Sequence, residues 1–212
     1  MNTTQRNWQP DRTLLQAYQK RTSADELIDQ CVRPETPLER QIIADPCWRT
    51  GALWGKPRPG HPEGKVLYHI HEVLKNVDKA TEQPLMRQQL RLVTILHDTF
   101  KHLEEKKRPR TDWNLHHAII ARDFAREHVT DQAVLDVIEL HDDAYYAWCA
   151  QQYHYPDKCD ALMEALLQRL DGHLQLYYLF FKCDTQTGDK IQAPIGWFEK
   201  RLSDQLDLVH WE

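Results

Sequence analysis

Residues 90–102, LRLVTILHDTFKH, constrain this chain more than any other stretch. An apolar run ends on an imidazole and a carboxylate side by side, His97 and Asp98, with Lys101 one helical turn further on. Leu92, Val93, Ile95 and Leu96 leave no consistently polar face. The run therefore predicts a buried helix over residues 84–107 whose charged and ligating groups gather at its C-terminal end. A carboxylate taken out of water without a compensating charge is costly. Imidazole and carboxylate are both good ligands for a divalent cation, which would remove that cost. A His-Asp pair alone is also compatible with a helix end emerging into solvent, so the rest of the chain has to decide.

Residues 12–30 read as a first helix without evident chemistry. Thr36-Pro37-Leu38-Glu39 has the form of a capping box with proline at the first helical position, which starts a second helix towards Asp45. Residues 48–64, WRTGALWGKPRPGHPEG, gather glycines, prolines and two tryptophans and are expected as a loop. Its cations Lys56, Arg58 and His61 suit either a connector with solvated charges or a loop over a phosphate site, with Arg58 the expected substrate contact.

Residues 65–80 are helical by period: Val66, Ile70, Val73, Leu74 and Val77 share a face that His69 and His71 flank. Thr111 or Asp112 caps a helix running to His128 that carries His116 and His117. Asp131 caps the next, in which Val134, Val137, Ile138, His141, Tyr145 and Trp148 form one stripe at helical spacing. After Pro156 a last long helix places Met163, Leu166, Leu167, Leu170, Leu174, Tyr177, Phe181 and finally Asp184 on one face, with Gly188 closing it. Pro194 opens a short terminal helix with Trp197, Phe198 and Leu202. No convincing period-2 run occurs, so the expected fold is an all-α single-domain bundle. Its segments are an N-terminal extension and loop (1–60), a core (61–190) and a C-terminal helix packing on it (191–212).

The 212 residues suffice for one sizeable core. A net charge of −5 without a basic stripe argues against nucleic acid or an anionic membrane surface as partner. Five cysteines in no zinc-ribbon spacing fit the reduced thiols of a cytoplasmic protein. The polar N-terminus has no signal-peptide core, and the apolar run 174–181 is too short to span a bilayer. Twelve histidines are the unusual figure. His69 or His71, His97 with Asp98, His116 or His117, His141 and Asp184 recur on successive helices. Buried imidazoles and acids in such numbers are costly unless they converge on something cationic.

The order His, then His-Asp, then a distant Asp resembles the signature of the HD-domain metal-dependent phosphohydrolases. HPEGKVLYHIHEVL at residues 61–74 looks like the entry segment of HD domains found in tRNA nucleotidyltransferases, and HDTFK at residues 97–101 is similar to the HDxxK form of many HD hydrolases. The resemblance covers residues 60–190. It implies an HD-type helical bundle in which His69, His97, Asp98 and Asp184 hold a divalent ion. In two-ion members the central Asp98 bridges, and His116 or His117 together with His141 serve the second. The spacing to Ala121 favours His116, whereas the face shared with Ala121, Phe124 and His128 favours His117. Asp142 or Asp143 in HDDAY is an alternative last aspartate, but lies close behind His117 and leaves the stripe ending at Asp184 unexplained.

One or two ions held this way, whether Mn, Fe, Ni, Co, Zn or Mg, would acidify bound water and polarise a phosphoryl oxygen. Asp98 is then the catalytic carboxylate. Lys101, on the same side of the helix, is the expected catalytic and substrate-binding cation, with Arg58 beside it, and Glu72 one turn from His69 is expected to orient it. The expected activity is hydrolysis of a nucleotide or other small phosphorylated metabolite. A di-iron oxygenase on the same scaffold and a non-catalytic nucleotide-binding module are the alternatives.

Overall fold

The computed structural model describes residues 23–107 and 111–210. The first part of the helix expected over residues 12–30, the basic residues 108–110 and Trp211 lie outside the described residues.

Helix α1 (Ala24–Val32) starts at a reciprocal capping box of Ser23 and Glu26. Helix α2 (Pro37–Ala44) starts where the TPLE motif places it, with the Thr36 hydroxyl accepting the Glu39 N–H. Residues 48–52, expected in a loop, instead belong to a short helix α3 (Pro46–Ala52). Pro46 is pre-set for a first helical position, and the Asp45 carboxylate accepts the N–H groups of Cys47 and Trp48 at 2.7 and 3.3 Å. Gly51 lies in this helix because its backbone presses on the turn at Thr99. A Cβ there would stand 1.7 Å from the Thr99 carbonyl oxygen.

Helices α4 (Val66–Ala80), α5 (Pro84–Leu96) and α10 (Leu174–Thr185) form the middle of the molecule, α4 packing on α1, α5 and α10. Around them lie α6 (His117–Ala125), α7 (Gln132–Leu140), α8 (Asp143–Gln152), α9 (Pro156–Arg169) and α11 (Ala193–Arg201). One hydrophobic core runs from Leu27 to Leu206 and takes residues from all three expected segments. Among the described residues there is no strand, and no helix is long and apolar enough to cross a membrane. The charges of α5 do not all gather at its end. Arg91 is buried in mid-helix, its guanidinium held at 2.8 Å by each Glu39 carboxylate oxygen and bonded to the carbonyls of Val32 and Arg33. This pairing joins α5 to α1 and α2.

Three helices expected as continuous are broken, each for a visible reason. Helix α5 stops at Leu96, not near residue 107. The Ile95 carbonyl, which the next turn would use, instead accepts the Thr99 hydroxyl at 2.8 Å and the Trp48 indole N–H at 2.9 Å. The chain tightens through i+3 bonds into a 3-10 turn at Lys101–Leu103. The stripe through His141 breaks between α7 and α8 because the Tyr177 hydroxyl inserts into the helical ladder. It donates to the Leu140 carbonyl at 3.1 Å and accepts the Ala144 N–H at 3.0 Å, separating two groups that would otherwise bond to each other. Helix α8 therefore buries Ala144, Ala147 and Ala150, while Tyr145 of the expected stripe is 41% exposed. The long helix after Pro156 divides into α9 and α10 at Gly172, whose φ of +81° suits glycine. Finally, Asp112 caps only a 3-10 turn, Trp113–Leu115, and α6 begins later, at His117.

Candidate metal centre

These breaks carry the chemistry. His97 is the C-cap of α5 and His141 that of α7. His117 is the first residue of α6, Asp142 the N-cap of α8, and Asp184 lies one residue from the end of α10. His69 sits four residues into α4, again near a helix end. A helix end frees its side chain from the neighbouring turn, so several ends can aim at one point.

Asp98 is that point. Its Oδ2 lies 3.7 Å from His69 Nε2 and 3.5 Å from His97 Nε2. Asp184 Oδ1 closes this side, 2.8 Å from His69 Nε2 and 3.8 Å from His97 Nε2. The other oxygen, Oδ1, lies 3.5 Å from both His117 Nε2 and His141 Nε2. Asp142 Oδ2 closes the second side at 3.5 and 3.7 Å from the same two nitrogens. The imidazoles and Asp98 are buried.

The donor set fits a cation. Buried polar atoms nearly always find hydrogen-bond partners, yet His69 Nε2, His97 Nε2 and Asp98 Oδ1 have none. The 2.8 Å approach of His69 Nε2 to Asp184 has the length of a hydrogen bond but not its alignment. His117 Nε2 and His141 Nε2 face each other at 3.2 Å. The far nitrogens are fixed: His97 Nδ1 donates to the Thr94 carbonyl at 3.0 Å and His141 Nδ1 to the Ile138 carbonyl at 2.8 Å. A carbonyl only accepts, so Nδ1 keeps its proton and a cation would meet the Nε2 lone pair. His69, His97 and Asp98 could hold one ion, and Asp98, His117 and His141 another.

Protonation differs across the centre. Burial, with Lys190 adding to it, holds His69 down at about 4 against the pull of Asp184 and Asp98. For His141 burial also presses downward, but Asp142 and then Asp98 outweigh it and lift the group to about 9. Burial raises Asp142, and His141, His117 and Lys101 more than reverse this, to about 2. Asp98 and Asp184 are held well below the usual carboxylate range, burial being overcome by His97 and Lys101 for the first and by Lys190 and His69 for the second.

The structure therefore brings together His69, His97, Asp98, Asp184, His117 and His141. His116 lies at the edge of the cluster: its Nδ1 accepts the Ala118 N–H as cap of α6, and its Nε2 faces the Tyr146 hydroxyl at 3.3 Å and Asp142 Oδ2 at 3.8 Å. With Glu104 and His117 it forms a further group that could hold an ion. His71 ties α4 to α1 through the Cys31 carbonyl. Glu72 does not orient His69; it accepts the Gly188 N–H, whereas Glu63 and Thr187 face His69 Nδ1 at 3.5 and 3.4 Å. Lys101 sits on Asp98 Oδ2 at 2.6 Å, and Arg58 lines a cavity that opens onto the centre. The sequence offers Asp142 only as a rival to Asp184; the geometry includes both. His141 and Asp142 are consecutive residues at the junction of α7 and α8, and both reach the cluster from there; the acidic HDD run was the available signal.

No family model matches the chain, and neither a curated protein nor a solved structure matches it.

Proposed function

We propose that this protein is a metal-dependent phosphohydrolase of the HD type, in which Asp98 would serve two ions, acting on a nucleotide or other small phosphorylated metabolite. The observation that carries the reading is the pair of Asp98 oxygens, each facing two imidazole nitrogens and closed off by a second carboxylate. His69, His97 and Asp184 would hold one ion and His117, His141 and Asp142 the other. Bound ions would lower the pKa of water and stabilise charge on a phosphoryl oxygen.

The chain's own groups do the rest. The carbonyls of Thr94 and Ile138 orient His97 and His141, and Glu104 stands 3.3 Å from His117 Nδ1. Lys101, half-buried and kept charged by Asp98, places an ammonium beside the bridging carboxylate, where it can attract a phosphate oxygen. Cavities on two sides of Lys101 leave room for substrate.

The test is elemental mass spectrometry of the purified protein beside Asp98→Ala, followed by a screen over phosphorylated metabolites for released orthophosphate or pyrophosphate. Close to two transition-metal ions per chain, absent from the variant, together with release of either product, is the expected result. Failure to bind added Mn2+, Mg2+ or Zn2+ would sink the reading. Iron with oxygen uptake and no phosphate release would replace it by the oxygenase alternative.

A further inference from the structure

Two cavities meet at Asp98, Lys101 and His61, and their linings differ in charge. The first, about 660 Å³, runs under the loop before α4 and carries Lys56, Arg58, Lys65 and Lys106. Beyond the shared floor its one remaining carboxylate apart from Asp98 is Glu63, which His61 engages at 3.0 Å. Among the described residues, no acidic side chain forms an ion pair with Lys56, Arg58 or Lys106, and Trp54 stands beside them as a flat wall.

The second cavity, about 440 Å³, carries Asp142, Asp184 and Asp189 against Lys190 and His141, besides the shared Asp98 and Lys101. Lys190 is already taken, 2.9 Å from each Asp184 oxygen, and Asp189 accepts the Gly60 N–H at 2.8 Å. The remaining wall is apolar: Pro59, Tyr145, Phe181, Ile191 and Pro194. Tyr145 and Ile191 are each 41% exposed, so a ligand ring would cover apolar surface there. The cations of the first cavity would draw a phosphate chain there. In the second, Asp142 and Asp184 would be occupied by the proposed ions and Lys190 is held by Asp184, which leaves the apolar wall to the ring.

Building on the phosphohydrolase reading above, we infer that the substrate is a polyphosphate ester with an uncharged ring, of the nucleoside triphosphate class, cleaved at its innermost phosphorus. The ring lies against Tyr145 and Ile191, the outer phosphates lie among Lys56, Arg58 and Lys106, and the phosphoryl group between them rests on the floor beside Lys101. The cationic side also selects the bond. A water oxygen bonds to the innermost phosphorus, the P–O bond to the next phosphate breaks, and pyrophosphate leaves with the electron pair among the lysines, which stabilise its charge. The water's protons pass to solvent, and the products are a nucleoside monophosphate and pyrophosphate.

Calorimetric titration of inorganic tripolyphosphate into chelator-treated wild type and into Lys56→Ala/Lys106→Ala tests the cavity without turnover. Binding weakened tenfold or more in the variant is expected, and equal binding would overturn the inference. With metal restored, ATP should yield AMP and pyrophosphate, and the variant should lose at least tenfold more kcat/KM on ATP than on bis(p-nitrophenyl) phosphate, which lacks the polyanionic arm. Orthophosphate released from the ATP terminus, or equal losses on both substrates, would also overturn it while leaving the phosphohydrolase standing. If the loaded wild type hydrolyses neither compound nor any other phosphate ester, the proposed function itself falls.

Discussion

Asp98 Oδ2 faces His69 and His97, Oδ1 faces His117 and His141, and the two sides are charged in different ways. On the first, His69 is neutral across the working pH range, and a lysine, Lys190, balances Asp184 from outside. On the second, His141 stays protonated to about pH 9 between Asp98 and Asp142. A fixed ammonium balances the carboxylate in one case and a labile proton in the other. An ion entering the second side must expel a proton, whereas one entering the first must share Asp184 with Lys190. Two sites built from the same residue types can thus answer differently to pH.

The largest effect should come from the residue the two sides share. Asp98→Ala should lose both ions, since each side would keep its imidazoles but lose the carboxylate between them; retention of one ion in elemental analysis would show that the sides are independent. Next, His69→Ala and His141→Ala should each remove one ion and leave the other. Loss of both from either variant would show that the centre forms only as a unit.

A third effect separates the sides by pH. With His141 protonated below about 9, the second side's apparent affinity should rise roughly tenfold per pH unit between 7 and 9 and then level off, one proton being released per ion. The first side should show no such dependence on His69, which is unprotonated above about pH 5. Metal titrations in buffers of different ionisation enthalpy would count the protons, and zero release at pH 7 would contradict the assignment of the charge to His141.

The smallest effect concerns Tyr177, whose hydroxyl holds the break that aims His141 and Asp142. Tyr177→Phe should cost about 1–3 kcal/mol in thermal unfolding, the usual cost of leaving a buried backbone group without its partner. It should also weaken the second side and spare the first. Equal weakening of both would assign Tyr177 a general packing role.

Most helices were legible as periodic stretches, and their starts were legible where a cap spelled them out, as at Thr36 and Asp131. The stops were not. Tyr177 lies 33 residues from the Ala144 amide it accepts, and Trp48 lies 47 from the Ile95 carbonyl it engages. No local pattern records either bond. The same blindness joined α7 to α8 and placed Tyr145 in the core. It also left His116 and His117 undecided, because their roles depend on where α6 begins, and it set Asp142 aside for lying close behind His117 in the chain, whereas the fold brings it beside His117 and His141.

The sequence by itself determined an all-α chain with apolar faces that end in imidazoles and carboxylates, because burial periodicity and residue chemistry are local properties. The tertiary structure alone decided that Asp98 looks both ways, that His117 and Asp142 join the cluster, and that one cavity is cationic and the other apolar. Those outcomes depend on where helices stop and on which loop lies over which end, and contacts between residues far apart in the chain set both.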